Sequence, residues 1–271
     1  MKNLNALEKS KGVILFAFNT ETIDYVKIAD RAAQLVHRTL GLPVTLVTDQ
    51  NVVTGHIDQI VIIKNTLQNF RVGYAGGTQW RNGNRYRAYD LSPYDETILI
   101  DSDYLMLDQT LLTMLDSTLD YRLIHENQTP DHYMTNSMGN TSLDYVWATA
   151  ITFKRTERSR LLFELVGRIQ RNYEYYRCLY NIQQRNFRND YAFAIAHNIL
   201  NGYTLAKDQS MPITMLTIEN TVQAIELRTN NLVVRQPGYA HVLPKQNLHI
   251  IDKDYLLSEN YGKFIDIICQ N

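Results

Sequence analysis

The chain has 271 residues, 45% of them hydrophobic and 20% charged, with only six prolines. Such a composition supports a buried core and excludes a disordered or low-complexity chain, and a net charge of −1 argues against a generic nucleic-acid binder. Cys178 and Cys269 have neither Cys-x-x-Cys spacing nor a nearby His cluster, which excludes a zinc site or disulfide framework and predicts reduced thiols.

The polar start Met1–Lys11 and the short apolar run Val13–Phe18 predict neither a signal peptide nor a membrane span, and hence a cytoplasmic protein. A strand over Gly12–Phe18, a helix from about Thr22 to Leu40 and a strand over Val44–Thr48 form a βαβ opening. In the helix Ile23, Val26, Ile28, Ala32, Leu35 and Val36 recur near the helical period, and Gly41-Leu42-Pro43 ends it. A strand at Gln59–Ile63 precedes the glycine-rich stretch Arg71–Asn84, which is expected as a mobile loop beside a site. A short helix through Arg85, Arg87 and Leu91 leads to the strand Thr97–Ile100. Further on, the pattern predicts a helix at Gln109–Leu115 and strands at Arg122–Glu126 and Tyr145–Phe153. A polar loop at Glu126–Ser142 separates those strands, and helices follow at Thr156–Leu179 and Asn189–Leu200. Short strands and a helix ending near Ile268 complete one expected domain, with a nucleotide-binding half (1–107) and an acceptor-binding half (108–271).

Asp101-Ser102-Asp103 follows the strand Thr97–Ile100 directly and precedes Tyr104-Leu105-Met106-Leu107. Ligands of open parallel sheets bind outside the carboxyl ends of strands. Two carboxylates at i and i+2 in such a place can face one pocket, and their oxygens suit Mn²⁺ or Mg²⁺ bridged to a diphosphate. Interrupting an apolar segment with unpaired acids costs several kcal/mol, roughly, unless a cation or donors compensate.

The stretch Arg87–Asp103, with its basic helix, acidic and aromatic turn and apolar strand running into Asp-x-Asp, resembles the core of GT-A nucleotide-sugar transferases, in particular the glycogenin and galactosyltransferase group. The resemblance implies a Rossmann-like α/β fold with a mixed, mainly parallel central sheet flanked by helices. It implies a nucleotide-sugar donor, read as a UDP-sugar, with Mn²⁺ or Mg²⁺ as cofactor. By the same resemblance Ala17, Phe18 and Asn19 line the nucleotide pocket, and Thr48 and Asp49 lie near the base or ribose. Arg87 approaches the sugar or diphosphate, Ser102 lies in the donor site, Asp103 binds the metal, and Asp101 binds the metal or the ribose. The family's C-terminal His ligand matches His249, which is followed by the phosphate-binding candidate Lys253, or alternatively His241. Asp190, at a helix start, is implied to touch the donor sugar or act as general base; an Asp there is also an ordinary cap. Nucleotidyltransferases of related fold carry a glycine-rich, lysine-containing loop where this chain has Asn19-Thr20-Glu21-Thr22.

Charge is uneven along the chain. Acids dominate from Tyr89 to Asp131, whereas Lys154–Arg188 carries nine bases interleaved with Tyr173, Tyr175, Tyr176, Tyr180 and Phe187. That mixture suits a polyanionic acceptor such as double-stranded DNA, or a solvated helix face with inward aromatics. The segments Tyr175–Asp190 and His249–Lys253 are similar to glycosyltransferase-like proteins of tailed bacteriophages. This points to a hydroxymethylated pyrimidine in phage DNA as first acceptor, reached in the host cytoplasm by base flipping. A surface glycan or lipid-linked saccharide is the alternative acceptor, and a non-catalytic nucleotide- or DNA-binding module is the reading from another class.

Overall fold

The computed structural model describes residues 9–64, 71–72, 79–80, 83–134, 138, 143–204 and 209–270. The βαβ opening is present as β1 (Lys11–Phe16), α1 (Tyr25–Leu40) and β2 (Val44–Thr48), with β1 and β2 parallel. α1 starts later than Thr22 because Asp24 caps it, its carboxylate accepting from the Lys27 amide at 3.0 Å. Val26, Ala29, Ala33, Val36 and Leu40 form its buried face at spacings of three and four. Gly41 closes the helix in the left-handed region at φ 65°, where its amide donates to the His37 carbonyl at 3.0 Å.

β3 (Gln59–Ile62) pairs with β2, and β4 (Arg71–Val72) with β5 (Gln79–Trp80). The rest of the glycine-rich stretch expected as a mobile loop, residues 73–78 and 81–82, lies outside the described residues. A 3₁₀ helix over Gly83–Arg87 leads into α2 (Ala88–Leu91), β6 (Glu96–Ile100), β7 (Tyr104–Leu105) and α3 (Thr110–Leu115). The strand predicted over 122–126 is two, β8 (Tyr121–Ile124) and β9 (Glu126–Gln128), because the chain leaves one sheet at His125 and enters another.

After β10 (Trp147–Lys154), the long predicted helix is also divided, into α4 (Glu157–Arg171) and α5 (Tyr173–Leu179). Asn172 breaks it at φ −122° and ψ 33°, its side-chain amide donating to the Arg168 carbonyl at 2.9 Å. Asparagine favours such breaks because its side chain competes for backbone groups. α6 (Asn189–Leu200) precedes β11 (Thr214–Ile218), β12 (Ala224–Leu227), β13 (Asn231–Gln236), β14 (Tyr239–Pro244) and β15 (Leu248–Ile250). α7 (Lys253–Leu257) and α8 (Glu259–Gln270) follow.

The central sheet runs β3-β2-β1-β6-β10-β8, parallel from β3 to β6, with β10 antiparallel to both neighbours. α1 packs on β1 and β2, and α6 lies on β10 beneath α4. The expected mixed, mainly parallel sheet flanked by helices is therefore what the chain forms. Val13, Ile14, Leu15, Leu46, Ile98, Leu99 and Ile100 are fully buried, as continuous apolar strands of a covered parallel sheet must be. β1 leads by α1 to β2 on one side, while β6 joins β1 on the other. This reversal opens a crevice at the carboxyl ends of β1 and β6. A second sheet, β7-β15-β11-β9, and an antiparallel meander, β12-β13-β14, complete the architecture. Among the described residues no helix is long and apolar enough to cross a membrane.

Candidate active site

The acidic triplet turns out of β6 at that crevice. The Asp101 amide donates to the Thr149 carbonyl at 2.8 Å, and the Tyr104 amide to the Asp101 carbonyl at 3.1 Å, so neighbouring β10 and a tight turn hold it. Immediately afterwards β7 pairs antiparallel with β15, setting Tyr104 opposite His249 and Leu105 opposite Leu248. The Ile250 amide donates to the Asp103 carbonyl at 3.0 Å. This pairing, across nearly 150 residues of sequence separation, is what brings the C-terminal His and Lys to the triplet.

At Asp103 three expected residues meet. Oδ2 accepts from the Lys253 ammonium and lies 3.7 Å from His249 Nε2. Burial by itself pushes the Asp103 carboxyl up, but the charges of Lys253 and then His249 hold it far below the usual carboxylate range. Oδ1 is buried and has no hydrogen-bond partner among the described residues. His241 is elsewhere, on β14, with Nε2 3.9 Å from Asp131 Oδ2.

The imidazole of His249 is oriented from behind. Thr217 Oγ1 donates to Asn127 Oδ1 at 2.8 Å and lies 3.3 Å from His249 Nδ1. With its proton committed to Asn127, the hydroxyl accepts from His249 Nδ1–H. Nε2, the nitrogen facing Asp103, is the one a bound metal would take once it carries no proton. A His whose far nitrogen is fixed in this way is set up as a metal ligand. An orphaned buried carboxylate oxygen beside such a nitrogen fits a divalent cation, which Asp103 and His249 would hold. Among the described residues, however, no group of three or more His, Cys, Asp or Glu is gathered for a metal.

Asp101 is differently engaged. Its carboxylate pairs with the guanidinium of Arg85, which also donates from Nη2 to the Ala148 carbonyl at 2.5 Å. Arg85 is 1% exposed, and its Nε has no partner among the described residues. Arg87, the expected arginine, is half-buried and makes no ion pair among the described residues. The 3₁₀ helix explains the exchange: at three residues per turn, positions two apart point to different sides, so only one of the pair can face the triplet.

The other side of the Ala148 peptide connects to Asp190. The Ala148 amide donates to Asp190 Oδ1 at 3.0 Å, and Arg188 Nε donates to Asp190 Oδ2 at 3.0 Å. Asp190 opens α6 without capping it: the carboxylate turns across to β10 instead. Burial, then the Asp190 charge, push the neighbouring Tyr145 hydroxyl well above its ordinary value. Thus Asp101, Arg85, Ala148, Asp190 and Arg188 form one continuous chain of contacts, the strand residues Ala148, Thr149 and Ala150 being buried beneath it.

Of the residues expected around the nucleotide, Ala17 and Phe18 are buried at the end of β1, and the Ala17 amide donates to the Val47 carbonyl at 3.0 Å. Asn19 Oδ1 accepts from the Val26 amide at 2.9 Å, tying the loop to α1. Thr48 is buried, with Oγ1 unpartnered among the described residues, and Asp49 is partly buried beside it. Ser102 is buried between the two acids. Sequence reasoning did not single out Arg85, Thr217 or Asn127 for this site. For the first, the signal available was its place in the same short basic helix as Arg87, whereas strand register, which has no local signature, decides the other two.

No family model matches the chain, and no curated protein matches it in sequence. Among solved structures, the galactosyltransferase LgtC in complex with donor and acceptor sugar analogues is similar at a TM-score of 0.52 and 13% identity, covering 96% of this chain and 94% of that one. An active-site mutant of LgtC gives 0.52 at 14% identity, covering 94% of each chain. The glycosyltransferase GlyE of Streptococcus pneumoniae TIGR4 gives 0.39 at 13% identity over 75% of this chain, which spans only 45% of the GlyE chain. What this chain shares with LgtC is the fold.

Proposed function

We propose that the chain is a metal-dependent glycosyltransferase that moves a sugar from a nucleoside diphosphate sugar, a UDP-sugar by preference, to an acceptor hydroxyl. The observation that carries this reading is the convergence of Asp103 with its orphaned oxygen, the oriented His249 Nε2 and the Lys253 ammonium at the crevice of a parallel sheet. Asp103 and His249 hold Mn²⁺ or Mg²⁺, with Asp101 beside them. When bound there, the cation would supply positive charge against the departing diphosphate.

Lys253 supplies a second positive charge to the phosphates once it exchanges Asp103 for them. Arg85 orients Asp101 through their ion pair, and Arg87 stays a candidate for the sugar or diphosphate. Ala17, Phe18, Asn19, Thr48 and Asp49 border the base and ribose, and Ser102 the ribose or phosphate. Asp190 contacts donor sugar hydroxyls; both of its oxygens already accept hydrogen bonds, which suits a fixed acceptor better than a general base.

For the acceptor, a saccharide hydroxyl is the reading we favour, in keeping with the acceptor sugar analogue bound to LgtC. The DNA reading draws on the phage resemblance and on the charge of the basic segment, and the charge is largely used within the fold. Six of its nine bases are bonded to the chain itself: Lys154 to Glu96, Arg155 to the Ser92 and Tyr94 carbonyls, Arg158 to Asn201, Arg160 to Glu157 and Glu164, Arg177 to Glu174 and Arg188 to Asp190. Among the described residues Arg168, Arg171 and Arg185 of the segment make no such bond, too few for a continuous track on duplex DNA.

One experiment addresses both halves. The protein is incubated with a panel of nucleotide sugars and either oligosaccharides or hydroxymethylated DNA, and the products are read by mass spectrometry. Transfer is expected with Mn²⁺ or Mg²⁺, loss of turnover by at least about a hundredfold is expected in Asp103→Ala, and full activity in excess EDTA would refute the metal role. Modified nucleosides instead of modified saccharides would restore DNA as the acceptor.

A further inference from the structure

The 3₁₀ helix has two working sides. Arg85 faces the triplet, while the next residue, Tyr86, turns to α4 and lies against Gly167, where an added Cβ would come within 2.6 Å of its ring. On this second side, between the 3₁₀ helix, α2 and α4, there is an open cavity of about 470 Å³. Its size is within the range of small-molecule sites. Tyr86 and Tyr89, both partly buried, contribute aromatic surface, and Arg168, Arg171, Asp90 and Glu164 contribute charge.

These charges are not equivalent. Glu164 is already paired with Arg160. Arg168, Arg171 and Asp90 are exposed and have no ion pair among the described residues, and the Arg171 guanidinium lies 5.9 Å from the Tyr86 ring centroid. Elsewhere on α4 and α5 the chain pairs its arginines, as with Arg160 and Arg177; here it leaves two together beside aromatic rings and a carboxylate.

We propose that this cavity is a binding site for an acidic saccharide, separate from the donor centre. The parts of the Tyr86 and Tyr89 rings that line the cavity offer apolar surface to sugar C–H groups. A pair of guanidiniums takes a carboxylate or phosphate substituent through parallel hydrogen bonds. Asp90 accepts from ring hydroxyls. The lining carboxylates also discriminate against a polynucleotide, whose phosphates they repel and which has few hydroxyls to offer them. Binding here requires no transfer reaction, so the proposal stands apart from the function proposed above.

The test is equilibrium titration of the full chain, followed calorimetrically and by the tyrosine ring resonances in NMR. The probes are a glucuronate-containing tetrasaccharide, mannose 6-phosphate, neutral maltotetraose and a thymidine oligonucleotide. Binding of the first or second is expected, with shifts at Tyr86 and Tyr89. Affinity should weaken at least tenfold in the R168E/R171E double variant, whose exposed side chains make no hydrogen bond or ion pair among the described residues. The R168Q/R171Q pair should give a smaller loss.

Failure of both acidic probes to bind, equal binding of maltotetraose, binding of the oligonucleotide alone, or binding indifferent to the double variant would each overturn the proposal. UDP, GDP, ADP and dTDP are each titrated with Mn²⁺ in the same preparation. UDP binding without acidic saccharide defeats the cavity alone. Acidic saccharide binding with no binding of UDP, GDP, ADP or dTDP in the presence of Mn²⁺ defeats the glycosyltransferase reading alone.

Discussion

Arg85 carries the most consequential single placement in the molecule. A guanidinium 1% exposed is tolerated only with strong acceptors, and it has two, the Asp101 carboxylate and the Ala148 carbonyl. Removing one partner of such a pair leaves the other charge poorly compensated. Arg85→Met is therefore expected to destabilise the fold by about 3 kcal/mol, moderated because the Asp101 side chain is 29% exposed. Chemical denaturation measures this, and UDP titration should show weaker binding as Asp101 loses its anchor. Arg87→Met, lacking any such partner, should leave stability within about 0.5 kcal/mol of the parent. Equal losses in the two variants would contradict the assignment of the anchoring role to Arg85.

At the scale of elements, the site depends on how the 3₁₀ helix is seated on α4. Gly167 makes that seat possible: a Cβ there would lie 2.6 Å from Tyr86 Cδ2 and 3.0 Å from Cε2, closer than packed carbons approach. Alanine is otherwise the better helix residue by roughly 1 kcal/mol. Gly167→Ala thus sets a propensity gain against overpacking that typically costs about 1–3 kcal/mol. Because Tyr86 is a partly buried ring rather than a flexible tip, overpacking should win, lowering the melting temperature and displacing Arg85 from Asp101. An Ala variant as stable as the parent would show that Tyr86 moves freely. The β7–β15 pairing has the matching role on the other side of the site, since it fixes His249 and Lys253 relative to Asp103.

For the whole molecule, a buried imidazole makes stability depend on pH away from the triplet. His197 on α6 is 6% exposed, with Nδ1 3.2 Å from the Tyr121 hydroxyl and its ring 5.7 Å from that of His125. Burial, then the His125 and Arg158 charges, lower its pKa to about 4. In the unfolded chain it titrates near the ordinary value of about 6.5. Between these values the unfolded chain binds the extra proton, so stability is complete above about pH 6.5 and declines as pH falls toward 4, by at most about 3 kcal/mol. Urea midpoints across that window should show the decline, and His197→Gln should flatten it. A parent profile already flat from pH 6.5 to 4 would rule out a neutral buried His197.

The sequence by itself determined the parallel βαβ opening, the acids at the mouth of β6 and the His-Lys pair near the C-terminus. Each of these is local: apolar periodicity, a glycine stop and two carboxylates after a buried strand act within a few residues of one another. Only tertiary structure decided which arginine meets Asp101, which histidine meets Asp103 and that most of the basic segment is internally bonded. The reason is physical. The seating of the 3₁₀ helix turns Arg85 inward, a strand pairing between distant segments selects His249 over His241, and a charge pattern read along the chain carries no record of the carbonyls and carboxylates that folding brings to it.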